Sequence, residues 1–567
     1  MEKATVAVIG TGPTGLSILK TLREDGFQVT AFERRLRVAG LWSYSENPTY
    51  TTALSRASFT TTLVLRPPYR TWPVWRTYGS RDVHALLAGT EANISKYTCG
   101  FSDFPMPEKY CPYMTQDEFQ EFMEDYAKHF DLYKDIVFDA TVTRVSRNET
   151  DTKWRVEFTK SGAVVEAQEF DKVAFCHGYQ TKAVLPVYEG QEKFKGTFMH
   201  GQAYRTPEPF KGKKVVVVGM SASSGEVIPD LVPHASKVFV SHRHGAMPIK
   251  RWIGGRPGDL HATWRRRQIS FFLTRYMPRV AKLAADVGLK ILARRSFGPL
   301  DPAWRLEPFP SLTLKLTGAW HSIIKALRDG SVESLHGIRR FVGPRSVEFD
   351  DGRVEHDVDA IICCTGYRGD FDLAPFVETS VPTAYGYSGP PLYRLYMNMF
   401  PPAYADSCAL LCYSAFGKSN GFTFADLTAM AISNVFQGVE PQPSRKEMER
   451  HIDLHQRWVA SRWRQENSTD TSCVKQWEFQ GWLHQAAGTG MENLGWGWKG
   501  WKFWWKDPEM YRLMNHGPET AHAYRYFETG KRKTWDGAKE AIIKVNRLVE
   551  AIPLLEPGPR QMEEMQT

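Results

Sequence analysis

Two short turns rich in glycine and serine carry the residue types that bind phosphate groups, and they lie about two hundred residues apart. The first turn spans residues 10–15 and the second spans residues 219–225. Each turn follows an apolar run typical of a buried parallel strand and precedes a segment with helical spacing. A helix that begins at such a turn presents N–H groups and its positive dipole end to a phosphate. The sequence therefore predicts two dinucleotide sites and electron transfer between two bound cofactors.

The three glycines of the first turn have separate predicted roles. Gly10 allows the tight turn, Gly12 lets the backbone approach a pyrophosphate, and Gly15 lets the helix pack closely on the strand. The next strand, residues 27–32, ends at Glu33, whose carboxylate is expected to accept hydrogen bonds from ribose hydroxyls. The alternative is an ordinary glycine-rich turn of an α/β protein, but the strand, the helix and the acid together favour a dinucleotide site.

The second turn begins at Gly219, directly after the strand predicted for residues 213–218. Ser221 and Ser224 stand where glycine is usual in such turns. A serine hydroxyl is small and can donate to a phosphate oxygen, so the site is retained on physical grounds. Ser221, Ser223 and Ser224 are therefore expected to contact the cofactor.

The strand that follows the second turn does not end on an acid. Its last residue is Ser241, and His242 and Arg243 come next. A guanidinium at this point accommodates a ribose 2′-phosphate, which a carboxylate would repel. Ser241 and Arg243 are therefore predicted to bind NADPH rather than NADH. The alternative is that Arg243 is a solvated surface cation.

A third pattern lies just upstream of the second turn and consists of Phe194, Gly196, His200 and Tyr204. Its spacing resembles the fingerprint of the class B flavoprotein monooxygenases. The final Tyr204 is similar to the flavin-containing monooxygenase branch, whereas the Baeyer–Villiger branch typically ends in Trp followed by Pro or Asp. The resemblance extends over nearly the whole chain through residues 40–42, 93–105, 364–367 and 524–538.

The order of predicted strands and helices, together with this resemblance, indicates an α/β fold with two Rossmann-like dinucleotide-binding domains. The NADPH domain is expected to be inserted in the FAD domain. Residues 1–186 would form the first part of the FAD domain, and residues 187–330 the NADPH domain. Residues 331–567 would form the second part of the FAD domain, with a C-terminal helical region. The strand of residues 360–363 is expected to complete the FAD domain.

The resemblance also implies a reaction. FAD at the first turn would accept a hydride from NADPH at the second, and the reduced flavin would form a C4a-hydroperoxide with O₂. That species would oxygenate a soft nitrogen or sulfur nucleophile of a small organic molecule. The nearest alternative is Baeyer–Villiger oxygenation of a ketone, in clearance of foreign compounds or in biosynthesis. A flavoprotein redox sensor and an NADPH oxidase that releases H₂O₂ are two further alternatives.

Asn93 is the predicted catalytic residue, because its amide can donate and accept hydrogen bonds at once near the flavin. The alternative is an asparagine that only caps a loop. His200 is interpreted as a structural residue between the domains, with proton transfer as the alternative. The residues expected to bind FAD or NADPH are Gly10, Gly12, Gly15, Glu33, Leu41, Trp42, Val142, Thr365, Gly366, Gly219, Ser221, Ser223, Ser224, Ser241, Arg243, His200 and Tyr204.

Composition excludes several other classes of protein. The 567 residues carry a net charge of +9 with acids and bases interspersed, and no basic–aromatic module typical of nucleic-acid binding occurs. No zinc-ligand pattern occurs, and without a CxxC pair the disulfide-reductase flavoenzymes are disfavoured. No signal peptide or apolar run of membrane-spanning length is found, so a cytoplasmic enzyme is expected, with its oligomeric state left open.

Two segments have compositions that are compatible with contact with a membrane surface. Residues 265–295 mix cations with apolar residues at helical spacing. A helical insertion that packs over the active site, with solvated arginines, is favoured over a helix lying on a membrane. Residues 496–505 contain five tryptophans. These tryptophans are expected to pack in the core between domains. The alternative is that they form the wall of an apolar substrate pocket.

Overall fold

Two parallel sheets organise the molecule. The computed structural model describes residues 3–43, 75–77, 91–160, 164–178, 181–314, 321–411, 421–466 and 472–552. Within these ranges, ten strands form two five-stranded parallel sheets. In chain order these strands are β1 (Thr5–Ile9), β2 (Gln28–Phe32), β3 (Ile136–Val137), β4 (Lys172–Phe175), β5 (Thr197–His200), β6 (Lys214–Val218), β7 (Lys237–Ser241), β8 (Val332–Leu335), β9 (Ala360–Cys363) and β10 (Cys408–Leu410).

The first sheet has the strand order β10-β4-β1-β2-β3, and the second has the order β5-β9-β6-β7-β8. The central strands are buried on both faces, as expected for parallel strands covered by helices on each side. The carboxyl ends of β1 and β6 therefore each meet a glycine-containing turn at the edge where ligands bind in open α/β sheets. The expectation of two Rossmann-like sheets is confirmed.

The predicted position of residues 360–363 is wrong. This segment was expected to complete the first sheet, but as β9 it lies in the second sheet, between β5 and β6, with Val215 opposite Ala360 and Val218 opposite Cys363. Likewise β8 pairs with β7, so the second sheet continues past residue 330. The chain returns to the first sheet only at β10. An apolar strand buried on both faces is compatible with either sheet, so its periodicity alone does not select the partner.

Helices cover the sheets and build the C-terminal region. Within the described residues the helices are α1 (Pro13–Glu24), α2 (Gln116–His129), α3 (Ala222–Leu231), α4 (Trp264–Tyr276), α5 (Pro278–Phe297), α6 (His321–Arg328), α7 (Gly421–Phe436), α8 (Arg445–Glu466), α9 (Gln476–Ala487), α10 (Trp498–Lys506), α11 (Pro508–His516) and α12 (Ala538–Glu550). Helix α7 is almost entirely buried and packs against both α1 and α9. The first nucleotide-type turn is thereby tied to the C-terminal helices.

Shorter strands flank the two sheets. Antiparallel groups are formed by Ala140–Arg147 with Trp154–Lys160 and Val165–Phe170, by Ile338–Gly343 with Ser346–Phe349 and Val354–Glu355, by Trp75–Thr77 with Lys182–Pro186 and Tyr367–Arg368, by Glu91–Ser95 with Tyr113–Thr115, by Trp252–Ile253 with Arg256–Pro257, and by Thr379–Ser380 with Leu392–Tyr393. The pair Glu91–Ser95 and Tyr113–Thr115 carries the predicted catalytic asparagine.

Candidate active site

The first turn has a backbone that only glycine permits at two positions. Gly10 has a φ of +96°, and a Cβ added there would lie 3.0 Å from the carbonyl oxygen of Cys176 in β4. A Cβ at Gly15 would lie 1.9 Å from the carbonyl oxygen of Gly10. At Gly12, by contrast, a Cβ would meet only Gly40, at 3.7 Å. The turn and α1 are thus in direct contact at Gly10 and Gly15, while Gly12 keeps space beside its backbone.

The Glu33 carboxylate is hydrogen-bonded to the first turn. Its Oε2 accepts hydrogen bonds from the backbone N–H of Thr11 (2.9 Å) and from the Thr11 hydroxyl (2.8 Å). Its Oε1 accepts from the backbone N–H of Arg35 at 3.0 Å. The carboxylate is buried at the carboxyl end of β2 and holds the turn in shape. A bond from ribose to this carboxylate stays a prediction.

The segment of Leu41 and Trp42 lies against the first turn. It forms a short 3₁₀ turn, Gly40–Trp42, whose Gly40 and Ser43 carbonyls accept from Arg35 Nη1 at 2.7 and 2.8 Å. Trp42 packs on the ring of Phe119, with centroids 4.0 Å apart. Both Leu41 and Trp42 are half-buried, so they form a partly open wall beside the turn.

Val142 is a buried residue of the strand Ala140–Arg147. That strand is joined to the end of β2 by the bond from the Ala140 N–H to the Glu33 carbonyl, at 2.9 Å. Val142 is paired with Phe158 and belongs to the same apolar cluster as Phe32. The structure therefore places Val142 near Glu33 but within the protein core.

In the second turn, Gly219 has a backbone conformation and packing similar to those of Gly10 in the first turn. Gly219 has a φ of +102°, and a Cβ there would lie 2.5 Å from the carbonyl oxygen of Cys364, which follows β9. Its N–H donates to the Ser241 carbonyl at 2.8 Å, which ties the turn to the end of β7. The Ser241 hydroxyl donates to the His336 carbonyl at 2.7 Å. Ser241 thus joins the end of β7 to the turn after β6 through its carbonyl and to the end of β8 through its hydroxyl.

The serines of the second turn mainly form hydrogen bonds with other protein groups. The Ser224 hydroxyl donates to the Ser221 carbonyl (2.7 Å) and accepts from the Ser221 N–H (2.8 Å). Because its one proton is used within the turn, Ser224 has no second proton for the phosphate that it was expected to contact. Ser223 is hydrogen-bonded to the Tyr367 side chain. Ser221 is exposed at the start of α3.

Two arginines lie at the carboxyl end of β7. Arg243 is exposed, and its Cγ lies close enough to Gly337 that a Cβ on that glycine would approach it to 2.5 Å. Arg305 donates from Nη2 to the carbonyl of His242 at 3.4 Å. Its Nη1 is buried and, within the described part of the chain, has no hydrogen-bond partner. Burial lowers the pKa of Arg305, although Asp351 and Asp350 oppose that effect.

The buried Arg305 Nη1 is a donor that lacks an acceptor, which is the situation an incoming anion would relieve. Sequence reasoning missed this residue, because it lies 62 positions beyond Arg243 and belongs to no recognised pattern. A left-handed backbone at Arg305, with a φ of 56°, turns the chain there.

His200 is the last residue of β5 in the second sheet, and Tyr204 is buried in the apolar cluster of that sheet. His200 Nδ1 accepts from the Gln202 N–H at 3.0 Å, so Nε2 carries the proton and donates to the Gly366 carbonyl at 3.1 Å. Burial lowers the pKa of His200 to about 4. The ring is therefore neutral at neutral pH, which supports the structural interpretation over proton transfer. The Tyr204 hydroxyl donates to Asp230 of α3 at 2.6 Å.

Thr365 and Gly366 follow β9 and are hydrogen-bonded to the flanking strand Lys182–Pro186. The Thr365 hydroxyl donates to the Val184 carbonyl, and the Val184 N–H donates to the Gly366 carbonyl at 3.0 Å. Gly366 has a φ of +90°, and a Cβ there would meet no described atom within 4 Å. An open backbone therefore lies directly after β9, beside the flanking strand Lys182–Pro186.

Asn93 is connected to the helix of the second turn through one arginine. Its Oδ1 accepts from Arg251 Nε at 3.2 Å, and Arg251 Nη2 forms an ion pair with Glu226 of α3 at 2.8 Å. Asn93 itself is exposed. Neither partner was predicted from the sequence, since Arg251 lies 158 residues away.

Asp259 holds the same strand from the other side. Its Oδ2 accepts from the Ser95 N–H (3.2 Å), the Ser95 hydroxyl (2.7 Å) and the Thr98 hydroxyl. Its Oδ1 is buried and, among the residues that the structure describes, has no hydrogen-bond partner. The Tyr113 hydroxyl donates to the Arg251 carbonyl and accepts from the Gly258 N–H at 3.2 Å. Residues 251–259 thus bind both strands of the pair that carries Asn93.

Comparisons with known proteins place this arrangement in a family. The model of the flavin-binding monooxygenase-like family matches residues 80–554, and that of an NAD(P)-binding Rossmann-like domain matches residues 8–63. The chain belongs to the flavin-binding monooxygenase-like family. It is therefore an oxidoreductase of the monooxygenase class, with FAD and NADPH as its cofactors.

Relatives of this flavin-binding monooxygenase align over almost its full length. The monooxygenase aurF of Gibberella zeae is 32% identical and the match covers 97% of this chain and 99% of that protein. The flavin-containing monooxygenase 5 of Homo sapiens is 29% identical, with coverage of 96% and 92%. The fold is similar to that of S-allyl-L-cysteine S-oxygenase from Allium sativum, with a TM-score of 0.59, 20% identity and coverage of 97% and 99%.

The residues of this family member fit two dinucleotides. The first turn leaves open space beside the backbone of Gly12, and its helix is capped by no side chain. The second turn has the unpartnered donor of Arg305 near the end of its second strand. An open glycine backbone suits close approach of a pyrophosphate, and a buried guanidinium N–H suits an additional anion.

Proposed function

We propose that this flavin-dependent monooxygenase uses NADPH and O₂ to oxygenate a soft nitrogen or sulfur atom of a small organic molecule. The observation that carries this choice is Tyr204, the last residue of the fingerprint. The Baeyer–Villiger branch typically has Trp at this position, and here the tyrosine hydroxyl is bonded to Asp230. In the overall reaction, one oxygen atom goes to the substrate, and NADPH supplies the two electrons that reduce the other to water.

In the proposed enzyme the two turns bind different cofactors. Gly10, Gly12, Gly15 and Glu33 would hold FAD, assisted by Leu41, Trp42, Val142, Thr365 and Gly366. The second turn would hold NADPH through Gly219, Ser221, Ser223 and Ser241, with Arg243 and Arg305 at the 2′-phosphate. When bound, these cofactors supply the electrons and the activation of O₂.

The proposed role of Asn93 follows from how its amide is held. Arg251 donates to Oδ1, so the Nδ2 group of the amide is directed by that bond and can donate to the reacting centre. Asp259 holds the backbone of the same strand through Ser95. Positioned donors of this kind stabilise charge that develops during a reaction, and they act best where water is excluded.

His200 is proposed to position the two sheets and not to transfer protons. Both of its ring nitrogens are bonded, and its neutral form is stabilised by burial. We further propose an NADPH-binding unit inserted within an FAD-binding unit. The cytoplasmic location expected from the sequence stays a prediction.

The test compares three substrate classes on one enzyme preparation. Purified protein with bound FAD is given NADPH in air with a tertiary amine, a thioether or a ketone. NADPH oxidation, H₂O₂ release and product mass are then measured. We expect substrate-dependent NADPH use with an N-oxide or S-oxide as the product.

Other outcomes of this experiment would contradict the proposal. An ester or lactone formed from the ketone alone would indicate Baeyer–Villiger oxygenation. NADPH use that matches H₂O₂ release for every compound would indicate an oxidase. A flavin that NADPH does not reduce would indicate a redox sensor or a structural flavoprotein.

A further inference from the structure

Three helices of this protein expose apolar stripes to solvent. In each helix the exposed residues recur at intervals of three or four, which places them along one side of the helix. They are Ile269, Phe272 and Tyr276 of α4, Val280, Leu283, Val287 and Ile291 of α5, and Trp498, Trp501 and Trp505 of α10. Scattered exposed apolar residues are ordinary, but stripes on neighbouring helices mark an interaction surface.

The opposite sides of these helices are anchored in the protein. Trp264 and Arg267 of α4 are buried, and Arg267 forms an ion pair with Glu519 at 2.6 Å. Phe503 of α10 is buried against the ring of Phe527, with centroids 4.9 Å apart. The apolar stripes of α4 and α10 are therefore the outer faces of helices whose inner faces are already packed, while α5 is buried only at Ala293 and Phe297.

This arrangement overturns the favoured sequence interpretation of the tryptophans. They were expected to pack in the core between domains, but Trp498 is 80% exposed and Trp505 is 82% exposed. Similarly, the α4–α5 segment was expected to cover the active site with its apolar side, yet Leu283 is 66% exposed. Periodicity identified the amphipathic helices, but it did not reveal which side faces the protein.

Contacts between α4 and the tryptophan segment join them in one region. The Arg265 guanidinium lies 5.0 Å from the ring centroid of Trp496 and donates to the Tyr511 hydroxyl at 2.5 Å. Gln268 donates to the Leu494 carbonyl at 3.2 Å. Helix α4 also packs against α5 and α11. We call the outer surface of α4, α5 and residues 496–506 the aromatic–basic face.

The charge of this face is mostly positive, although Glu492 pairs with Lys499 and Glu307 with Arg294. Residues 264–297 contain nine arginines and lysines and a single acid, Asp286. Asp286 Oδ1 accepts from the Ser311 hydroxyl (2.9 Å) and the Leu312 N–H (3.1 Å), so it is already engaged. Lys499, Lys502 and Lys506 add further cations on α10.

We propose that the aromatic–basic face binds the surface of a lipid bilayer that carries anionic headgroups. Tryptophan suits the boundary between headgroups and acyl chains, because its ring is apolar and its N–H is polar. Arginine and lysine are attracted to anionic headgroups while their stems cover apolar surface. A second copy of this chain is a poorer occupant, since pairing two such faces would bring like charges together.

The proposed contact lies on the membrane rather than across it. Among the described residues, no helix has both the length and the apolar character required to cross a bilayer. Helices with an apolar stripe and a basic flank instead lie in the interface, with the apolar side facing the acyl chains.

The test is flotation of the purified full-length protein with phosphatidylcholine vesicles, with or without phosphatidylserine. We expect flotation with the anionic vesicles, weak flotation with the neutral ones, and release as salt is raised. The variant Trp498→Ser/Trp501→Ser/Trp505→Ser should reduce binding by about tenfold or more. The variant Arg279→Gln/Lys290→Gln should reduce binding to the anionic vesicles by about tenfold.

A matched control removes equally exposed apolar side chains elsewhere. Leu36 and Val164 are 78% and 83% exposed, and Leu36→Ser/Val164→Ser should leave flotation unchanged. Thermal unfolding of each variant verifies that the fold is intact. The measurement needs no turnover, so it is independent of the proposed oxygenation.

Three results would overturn the proposal. One is that the wild-type protein does not float with anionic vesicles. A second is that binding lacks the expected selectivity, whether because the triple tryptophan variant floats as well as the wild type or because neutral vesicles bind as tightly as anionic ones. The third is a dimer in sedimentation equilibrium that the triple variant loses, which would assign the face to a second copy of the chain.

Discussion

The two nucleotide-type turns share a backbone arrangement, but the residues at the ends of their second strands carry opposite charges. In each, a glycine with positive φ follows the central strand and lies against a neighbouring strand's end. The strand after the first turn ends on the buried acid Glu33, whereas the strand after the second leads to Arg243, with Arg305 beside it. This difference supports the proposal that the backbone forms the phosphate cradle, while the residue beyond the second strand selects the nucleotide.

A second difference concerns how the turns are connected to the rest of the site. Glu33 stabilises its own turn, and α1 is buried against α7. Helix α3 of the second turn instead extends an ion pair from Glu226 to Arg251, which holds Asn93. The second turn is therefore the one that is physically linked to the predicted catalytic strand.

The largest effect is expected from Gly15→Ala in the first turn. Its Cβ would lie 1.9 Å from the Gly10 carbonyl oxygen, so the turn or α1 must shift. We expect a loss of about 3 kcal/mol or more in the free energy of unfolding, and purified protein without FAD. Denaturant unfolding and flavin absorbance measure these two quantities.

Gly12→Ala is the matched control for that change. Its Cβ would meet only Gly40 at 3.7 Å, so the fold should survive while FAD binds more weakly. If both variants unfold alike, the contrast between a packing glycine and a cofactor-facing glycine is wrong.

The next largest effect is expected from Asn93→Ala, which breaks the link from the second turn. Removing a positioned donor typically lowers turnover by about a hundredfold. We expect product formation to fall by that factor, with H₂O₂ released instead, while flavin reduction by NADPH stays nearly intact. Anaerobic reduction rates and product yield measure the two parts.

Asn93→Asp separates the two functions of this amide. It keeps an acceptor for Arg251 but lacks the Nδ2 donor, so it should behave like the alanine variant. Unchanged product yield in Asn93→Asp would show that the donor is not required.

Arg243→Ala and Arg305→Ala sharpen the contrast between the two strand ends. Each removes a charge-assisted donor, which is worth about 1.5–3 kcal/mol, so KM for NADPH should rise by about tenfold or more in each variant. KM for NADH and FAD content should change little. Arg339→Ala, an exposed arginine paired with Glu348, serves as the control. An equal rise in KM for both nucleotides would contradict a role at the 2′-phosphate.

The smallest effect concerns His200, which is proposed to position the two units. Burial lowers its pKa in the folded protein to about 4, from 6.5. The unfolded chain therefore binds a proton below pH 6.5 that the folded protein rejects until about pH 4. Stability should fall across that window as pH decreases, and His200 should contribute about 3 kcal/mol to the loss.

His200→Gln tests this assignment, because glutamine cannot titrate but can still donate to Gly366. Urea unfolding near pH 7 and near pH 4.5 should show a smaller difference in the variant than in the wild type. A bell-shaped activity profile in the wild type that disappears in the variant would instead support proton transfer by His200.

The features that depend on neighbouring residues were predictable from the sequence. Gly10, Gly15 and Gly219 were identified because a strand, a tight turn and a helix follow one another within a few residues. Local sterics dictate glycine there. The family was likewise apparent from short ordered segments, since they survive in sequence even where overall identity is low.

The features that depend on distant residues became apparent from the folded structure. It assigned β9 to the second sheet, joined Asn93 to Arg251 across 158 positions, and placed Asp259 behind the same strand. It also turned the tryptophans of α10 outward. The physical reason is that periodicity reports which side of an element is apolar. Whether protein or solvent lies opposite that side depends on chain segments far away in sequence.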